Sequence, residues 1–178
     1  MTEGSIFLAL KKNLFLIALE KWNLFLFNRM IKKNWPMYYR LGVRFKSVSD
    51  DLKKLKVVFP FNRKTKGFGD THFGGAIYAF VDPLYVFSIS KNLGPEYLVL
   101  DTKAEIDFLK ASNSDLYAEI EVLKEDLEKM QEECKSNKKT TRKYSIEVLD
   151  ANFQKIAIVQ KTIYIRAKSR FLKTPEKR

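Results

Sequence analysis

The chain has 178 residues, 46% of them hydrophobic, which is long enough for one domain with a substantial core and too short for two complete domains. With 7 Gly and 5 Pro it is neither collagen-like nor broadly disordered, and its single cysteine, Cys134, excludes an internal disulfide and a cysteine-based zinc site. The formal net charge of +12 predicts either a surface that attracts phosphate groups or a surface that only keeps the protein soluble. A chain with a single cysteine is expected in the cytoplasm.

The N-terminal region is rich in Leu and Phe and predicts one long helix. From residue 5 to residue 33 apolar side chains recur every three or four residues, and Trp35-Pro36 is expected to end the helix. A secretory signal is not expected because no small-residue cleavage site follows, and charged residues interrupt any membrane span. The apolar surface is wider than one stripe, which predicts contact with the core or with a second copy of the chain. The alternative is an amphipathic segment that makes peripheral contact with a membrane surface.

Two strand-like runs follow at residues 39–47 and 52–59, and the small and acidic residues between them predict a tight hairpin. A basic loop covers residues 60–70. At Gly74 the apolar spacing changes to three and four residues. This pattern predicts a helix that is buried on most sides and ends at Gly94-Pro95.

Apolar and polar residues then alternate, which is the pattern of half-buried strands. The run at residues 98–108 puts its even-numbered residues on the buried face and Asp101 on the wet one. The run at residues 116–122 again buries its even-numbered residues. Residues 125–139 are highly charged and predict either a surface helix or a mobile loop.

Two final runs at residues 143–149 and 155–168 predict a second hairpin, and a shift of the buried phase predicts a bulge near Gln160. Six strands with one apolar helix after the second predict an α+β fold, in which an antiparallel sheet curls around the helix. The expected parts are a helical segment, the sheet domain and a basic flexible tail, at residues 1–35, 36–168 and 169–178.

This order of elements, together with five short motifs, resembles the hot-dog thioesterases of the phenylacetate-pathway type, especially an uncharacterised branch similar to acyl-CoA thioesterases. The resemblance covers about residues 35–167, and it depends on the order and spacing of motifs that are individually unspecific. They are Leu41-Gly42-Val43, Ser49-Asp50-Asp51, Pro60-Phe61-Asn62-Arg63, Thr71-His72-Phe73-Gly74-Gly75-Ala76 and Val148-Leu149-Asp150. The resemblance implies a hot-dog fold, hydrolysis of acyl thioesters, and assembly as a homodimer or a dimer of dimers.

The Gly74-Gly75 pair also has a physical meaning of its own. A helix start leaves N–H groups without partners, and glycines there let a carbonyl oxygen approach them; the alternative is that they only permit tight packing. Asp82 follows seven residues after Gly75, on nearly the same helix face, so both could serve one cleft. An acid in so apolar a helix needs a partner or a use. Alternatively, Asp82 caps a helix that restarts at Pro83.

The resemblance assigns catalytic roles to three residues. It implies that the Gly75 amide polarises the thioester carbonyl, that Asp82 acts as general base or nucleophile, and that Asn62 orients the water or the carbonyl. Where the phenylacetate-type enzymes have His-Gly-Gly, this chain has Phe73-Gly74-Gly75, as in the uncharacterised branch. His72, the only histidine, is displaced by one position. It is interpreted as a polar loop residue, with an acid-base role as the alternative.

Substrate contacts are expected around the start of the same helix. Exposed cations there are expected to bind the phosphates of coenzyme A, and the alternative is that they are only surface charge. The candidate substrate-binding residues are His72, Phe73, Gly74, Tyr78, Lys64 and Lys66. Coenzyme A enters as part of the substrate, an acyl-CoA or acyl-carrier-protein thioester. No separate cofactor, metal or nucleic acid is expected. The competing function is a non-catalytic hot-dog module that binds acyl chains or a partner, held at a membrane through residues 5–35.

Overall fold

The computed structural model describes residues 21–168. The first part of the predicted N-terminal helix and the predicted basic tail lie outside the described residues. In chain order the elements are α1 (residues 21–34), α2 (Pro36–Leu41), β1 (Arg44–Val48), β2 (Lys54–Phe59), α3 (Gly74–Val81), α4 (Leu84–Leu93), β3 (Tyr97–Phe108), β4 (Leu116–Glu121), α5 (Lys124–Asn137), β5 (Lys139–Leu149) and β6 (Lys155–Ala167).

The six strands form one antiparallel sheet in the order β1-β2-β4-β5-β6-β3. The apolar side chains of α3 and α4 join those of the strands in a single core, with Phe80 and Ile89 fully buried. The sheet therefore buries its apolar face on a helical layer, as the alternation of the strands requires. The α+β hot-dog arrangement expected from the sequence is confirmed.

The predicted strand at residues 39–47 is wrong at its start, because α2 occupies residues 36–41. Pro36 stands at the first position of this helix, where its missing N–H costs nothing, and Gly42 ends it in the left-handed conformation (φ 76°). The strand β1 begins only at Arg44. The buried Tyr38 ties α2 to the core, since its hydroxyl donates a hydrogen bond to the Phe80 carbonyl at 2.5 Å.

The apolar helix that begins at Gly74 is broken in two at Asp82-Pro83. Proline lacks the N–H that would continue the hydrogen-bond ladder, so α3 ends at Val81 and α4 begins at Leu84. Asp82 does not cap α4, because its side chain bonds elsewhere and α4 has no side-chain cap. The break turns this carboxylate away from the helix axis and toward the sheet.

The strand β6 keeps one buried phase from Ala157 to Ile165, so the predicted bulge near Gln160 is wrong. Gln160 pairs with Ser145 and Lys161 pairs with Tyr144 without a shift of register. The odd-numbered residues from Ala157 to Ile165 are all buried, and Lys161 is one of them. The apolar pattern breaks at this point because a lysine occupies a core position.

The edge strand β3 does not bury the face expected from its sequence. Val99 is buried, whereas Leu100 is 48% exposed. The register between β3 and β6 shifts between Asp101 and Lys103, which leaves Thr102 as a bulge. Asp101, expected on the wet face, instead turns inward to Lys161.

The charged stretch after β4 forms the helix α5, which confirms the helical alternative. It buries Leu127, Met130 and the free Cys134. Arg142 of β5 holds α5 to the sheet through ion pairs with Asp126 at 2.7 Å and Glu133 at 2.9 Å. No helix within residues 21–168 is long and apolar enough to cross a membrane.

Candidate active site

The start of α3 is held by the loop that precedes it. The Phe73 N–H donates to the Thr65 carbonyl at 2.9 Å, and the His72 N–H donates to the Ser112 carbonyl at 2.9 Å. The Phe73 carbonyl then accepts the N–H groups of residues 76 and 77. Gly74 and Gly75 are the first two residues of the helix, where an N–H has no intrahelical acceptor. Two backbone donors are thereby fixed in direction, with the positive end of the helix dipole behind them.

Two aromatic rings lie against these glycines. A Cβ atom on Gly75 would come within 2.7 Å of Phe73 Cε1, and one on Gly74 within 3.0 Å of Phe108 Cζ. A side chain at either position would therefore have to displace the ring that covers it. The Phe73 ring is itself 61% exposed, so it lies over the helix start and not in the core.

At the other end of α3, Asp82 belongs to a compact charged cluster. Its Oδ1 accepts a hydrogen bond from the Tyr78 hydroxyl at 2.7 Å and from Lys161 Nζ at 3.0 Å. Lys161 also donates to the backbone carbonyl of Asp82 and pairs with Asp101 Oδ2 at 2.6 Å. No hydrogen bond within residues 21–168 occupies Asp82 Oδ2, so this oxygen remains available on a side chain that is 44% exposed.

Lys161 is the electrostatic centre of this cluster, because its side chain is 0% exposed. A buried ammonium is tolerated only where anions and acceptors replace its water shell, and here two carboxylates do so. Burial raises the pKa of Asp101 against the opposing effect of Lys161, and burial together with the Asp82 bond raises the pKa of Tyr78. Tyr78 therefore stays a protonated donor, and Asp82 Oδ1 is held from two sides.

His72 is placed in the loop packing and away from solvent. Its Nε2 lies 2.9 Å from the Ser114 carbonyl, and its ring packs on Phe59 and Phe61 at centroid distances of 4.6 and 5.0 Å. Burial lowers the pKa of His72, which favours the neutral ring with the proton on Nε2. Its Nδ1 is buried and has no partner among residues 21–168. These contacts favour the interpretation of His72 as a loop residue.

The Asn62 side chain is engaged by its own loop. Its Nδ2 donates to the Pro60 carbonyl at 3.1 Å, and its Oδ1 accepts the Lys64 N–H at 2.8 Å. The Lys66 ammonium pairs with Asp70, whereas the Lys64 side chain is exposed. The catalytic role of Asn62 and the contacts of both lysines with substrate stay predictions.

The Gly75 amide and the Asp82 carboxylate lie at opposite ends of α3. Seven residues of α-helix rise about 10 Å, which sets their approximate separation along one chain. Two grooves on the described part of the surface, of about 700 and 490 Å³, are lined by residues other than Gly75 and Asp82. No group of three His, Cys, Asp or Glu side chains in this part is arranged to hold a metal ion.

The sequence missed three residues of this region, and each had a different signal. Lys161 lies among the inward-facing residues of β6, and a lysine at such a position is unusual. This signal is visible in the sequence only if β6 is assumed to have no bulge. The inward orientation of Asp101 depends on the bulge at Thr102, and no sequence pattern predicts that bulge. Phe108 was expected in the core and instead covers Gly74 with a half-exposed ring.

An antiparallel sheet curled on an apolar helix defines the hot-dog fold, and solved structures agree. PA5026 of Pseudomonas aeruginosa, a protein of unknown function described as a probable thioesterase, has a TM-score of 0.71 at 11% identity, covering 79% of this chain and 93% of its own. The thioesterase HI1161 of Haemophilus influenzae has a TM-score of 0.61 at 12% identity, with 86% and 94% covered. The PaaI protein of the Escherichia coli phenylacetic acid degradation operon has a TM-score of 0.57 at 14% identity, with 84% and 94% covered.

At these identities the likenesses establish the fold, and they confirm the resemblance seen in the sequence at that level. Residues 25–165 match the family described as a domain of unknown function, DUF4442, and the chain belongs to that family. No curated protein matches the chain.

Proposed function

We propose that this protein hydrolyses acyl thioesters, with acyl-CoA or an acyl carrier protein thioester as substrate. The observation that carries the proposal is the cluster at Asp82. Its Oδ1 is held by Tyr78 and Lys161, while Oδ2 has no partner within the described residues. A carboxylate fixed through one oxygen, with the other free, is suited to accept a proton from water. The thioesterase-type fold supports this reaction class.

In the proposed reaction, Asp82 Oδ2 takes a proton from water and the resulting hydroxide attacks the thioester carbonyl carbon. The negative charge that develops on the carbonyl oxygen is stabilised by the Gly75 N–H at the start of α3. Collapse of the tetrahedral intermediate breaks the C–S bond, and the thiolate leaves with the proton held by Asp82. The carboxylate is regenerated, and the products are a carboxylic acid and a thiol. Direct attack by Asp82 is the alternative route.

The working unit in this proposal is a homodimer. A rise of about 10 Å separates Gly75 from Asp82 along one helix, and this separation favours a base supplied by another chain to the carbonyl bound at one amide. We place Asp82 of one protomer opposite Gly75 of the partner subunit. The edge strand β3, which ends at the Phe108 ring beside Gly74, is the surface that brings a second copy close to the helix start.

Acyl recognition is assigned to the exposed Phe73 ring and the half-buried Tyr78 ring on either side of this cleft. The Lys64 side chain is exposed in the loop before α3 and is suited to meet a phosphate of coenzyme A. Lys66 is less available, because Asp70 already pairs with its ammonium. The carrier therefore contacts the loop, and the acyl chain contacts the rings.

The test is thiol release from a panel of thioesters that runs from acetyl-CoA to palmitoyl-CoA and includes phenylacetyl-CoA. We expect wild-type protein to hydrolyse at least one member, and Asp82→Asn to reduce kcat on the order of 100- to 10,000-fold, as loss of a general base does. Asp50→Asn is the matched control, since Asp50 is an exposed carboxylate in the turn between β1 and β2, at the opposite border of the sheet from β3. Equal rates for wild type and Asp82→Asn would remove Asp82 from the mechanism.

The second candidate is a non-catalytic module that binds acyl chains. It is favoured by one observation: Phe73 stands where similar enzymes have a histidine, and its ring packs over Gly75. In that case calorimetry would record binding of long-chain acyl-CoA, while no thiol would be released from any member of the panel. Binding of acyl-CoA without hydrolysis would support the non-catalytic module and exclude the hydrolase.

A further inference from the structure

The helix α1 is attached to the domain by one of its sides. Phe27 packs edge-on against Phe45 and Phe87, with ring centroids 5.0 and 6.2 Å apart. Ile31, one turn further along, is buried in the core at 3% exposure. Because these two residues are four apart, they mark a single inward-facing stripe of the helix.

Asn28, on the same side, fixes α1 to the edge of the sheet. Its Oδ1 accepts the Phe45 N–H at 2.8 Å, and its Nδ2 donates to the Phe45 carbonyl at 3.0 Å. The amide side chain thus replaces both bonds that a neighbouring strand would make at this point of β1. The rotation of α1 about its own axis is therefore set by specific bonds as well as by apolar packing.

The opposite side of α1 is an exposed stripe that is both apolar and basic. Its members recur at helical spacings of three and four, and all are exposed. They are Trp22, Phe25, Leu26, Arg29, Met30 and Lys33. Trp22 is 60% exposed and lies 5.9 Å from the Phe25 ring, and the same surface continues over Met37 and Tyr39 of α2. We call this surface the outer face.

The charge of the outer face has one sign. Residues 21–49 contain seven basic residues and no acidic one. The basic residues are Lys21, Arg29, Lys32, Lys33, Arg40, Arg44 and Lys46. A shallow groove of about 700 Å³ between α1 and α2 is lined by Leu26, Arg29, Met30, Lys32, Lys33, Asn34 and Tyr39. Among the described residues, apolar side chains thus stand beside three cations in a groove whose lining contains no carboxylate.

We propose that the outer face docks the protein flat on an anionic lipid surface. An exposed Trp and Phe enter the interfacial layer of a bilayer, and lysines and arginines around them meet the lipid phosphates. A second copy of the chain is a poorer occupant, because two outer faces would bring like charges together without a carboxylate between them. The inward stripe is already committed to the domain, so the helix lies on the membrane without crossing it. This association is independent of the reaction proposed for Asp82.

The test uses the full chain and flotation with vesicles of pure phosphatidylcholine or of phosphatidylcholine with about one third phosphatidylglycerol. We expect flotation with the anionic vesicles only, and its loss at high salt. Neutralising two cations that face an anionic surface should weaken partition roughly 30-fold, so Lys32→Gln/Lys33→Gln should abolish flotation. Lys135→Gln/Lys139→Gln removes two exposed cations outside the outer face and should float like wild type.

A fluorescence measurement follows the apolar side chains directly. The chain has two tryptophans, so Trp35→Phe leaves Trp22 as the only one. Anionic vesicles should shift the Trp22 emission to shorter wavelength, and brominated lipids should quench it. The proposal is overturned if Trp22 emission is unchanged, if the Lys32→Gln/Lys33→Gln variant floats as well as its control, or if Phe25→Ser converts a dimer in vesicle-free solution to a monomer.

Discussion

Lys161 and Asp82 meet where β6 passes the end of α3, with Nζ 3.0 Å from Oδ1. The same ammonium donates to the backbone carbonyl of Asp82, at the negative end of the helix dipole. An acid at that end of a helix is unfavourable unless a cation accompanies it. One buried lysine therefore stabilises the end of α3 and holds the carboxylate assigned to catalysis.

Lys161→Met should separate these two effects. Leaving Asp82 and Asp101 without their cation should lower the free energy of unfolding by about 3 kcal/mol, as breaking a buried ion pair does. Without the ammonium, Asp82 Oδ1 loses one of its two hydrogen-bond donors, so the carboxylate is misplaced and kcat should fall on the order of 100-fold. Urea unfolding and steady-state thiol release measure the two effects. A lower stability with an unchanged kcat would leave Lys161 a structural role only.

Gly75→Ala should damage activity more than stability. The new methyl group would come within 2.7 Å of the Phe73 ring and would displace it over the helix start. Ala favours a helix over Gly by about 1 kcal/mol, so the melting temperature should stay the same or rise while kcat/KM falls. Removing the ring with Phe73→Ala should let the double variant recover part of the lost activity. If the double variant is as slow as Gly75→Ala, steric displacement of Phe73 is not the cause.

Phe108→Glu should dissociate the proposed homodimer. Its half-exposed ring lies at the end of the edge strand β3 and against Gly74, so a charge there would enter the interface that we propose. Phe153→Glu is the matched control, since that exposed ring lies in the turn between β5 and β6 and lines a groove formed with residues of β1, β2 and β4. Light scattering should report a dimer for wild type and the control and a monomer for Phe108→Glu, and the monomer should lack hydrolysis. A dimer in all three proteins would place the interface elsewhere.

His72 should make the protein less stable in mild acid. Burial lowers the pKa of His72 below its ordinary value of 6.5, so the unfolded chain binds the proton more readily than the folded one. The contribution is complete above about pH 6.5 and is lost as the pH falls below that value. The free energy of unfolding should therefore drop between about pH 7 and pH 5.5, and His72→Gln should show a flatter dependence. Parallel curves would mean that His72 titrates normally.

Much of the fold was predictable because its strands alternate and its helices carry clear ends. The β4 strand buries the residues that its alternation predicted, and Gly74 begins a helix as expected. The helix α2 was missed because six residues are too few for periodicity to show, although Pro36 and Gly42 mark its two ends. The predicted buried and exposed faces of β3 are wrong because β3 is an edge strand with a bulge. Neither feature produces a recognisable sequence pattern.

The candidate site was predictable only where it lies on one element. Gly75 and Asp82 share α3, so helical spacing related them directly. Lys161 comes from a strand 79 residues further along, and only the folded sheet brings it to Asp82. In the sequence, a lysine in the buried phase of a strand predicts a shift of phase, because a charge at a core position is the rarer arrangement.

The two borders of the sheet are not equivalent. At Phe45 the outer border of β1 is saturated by the amide of Asn28, whereas β3 at the other border has no neighbouring strand within the described chain. A sheet with both borders open to another strand can add copies without end, which is the geometry of a fibre. With the border of β1 obstructed at Phe45, two copies joined through β3 about a twofold axis leave no fully open border for a third. A single asparagine thus helps to make self-association of this sheet finite.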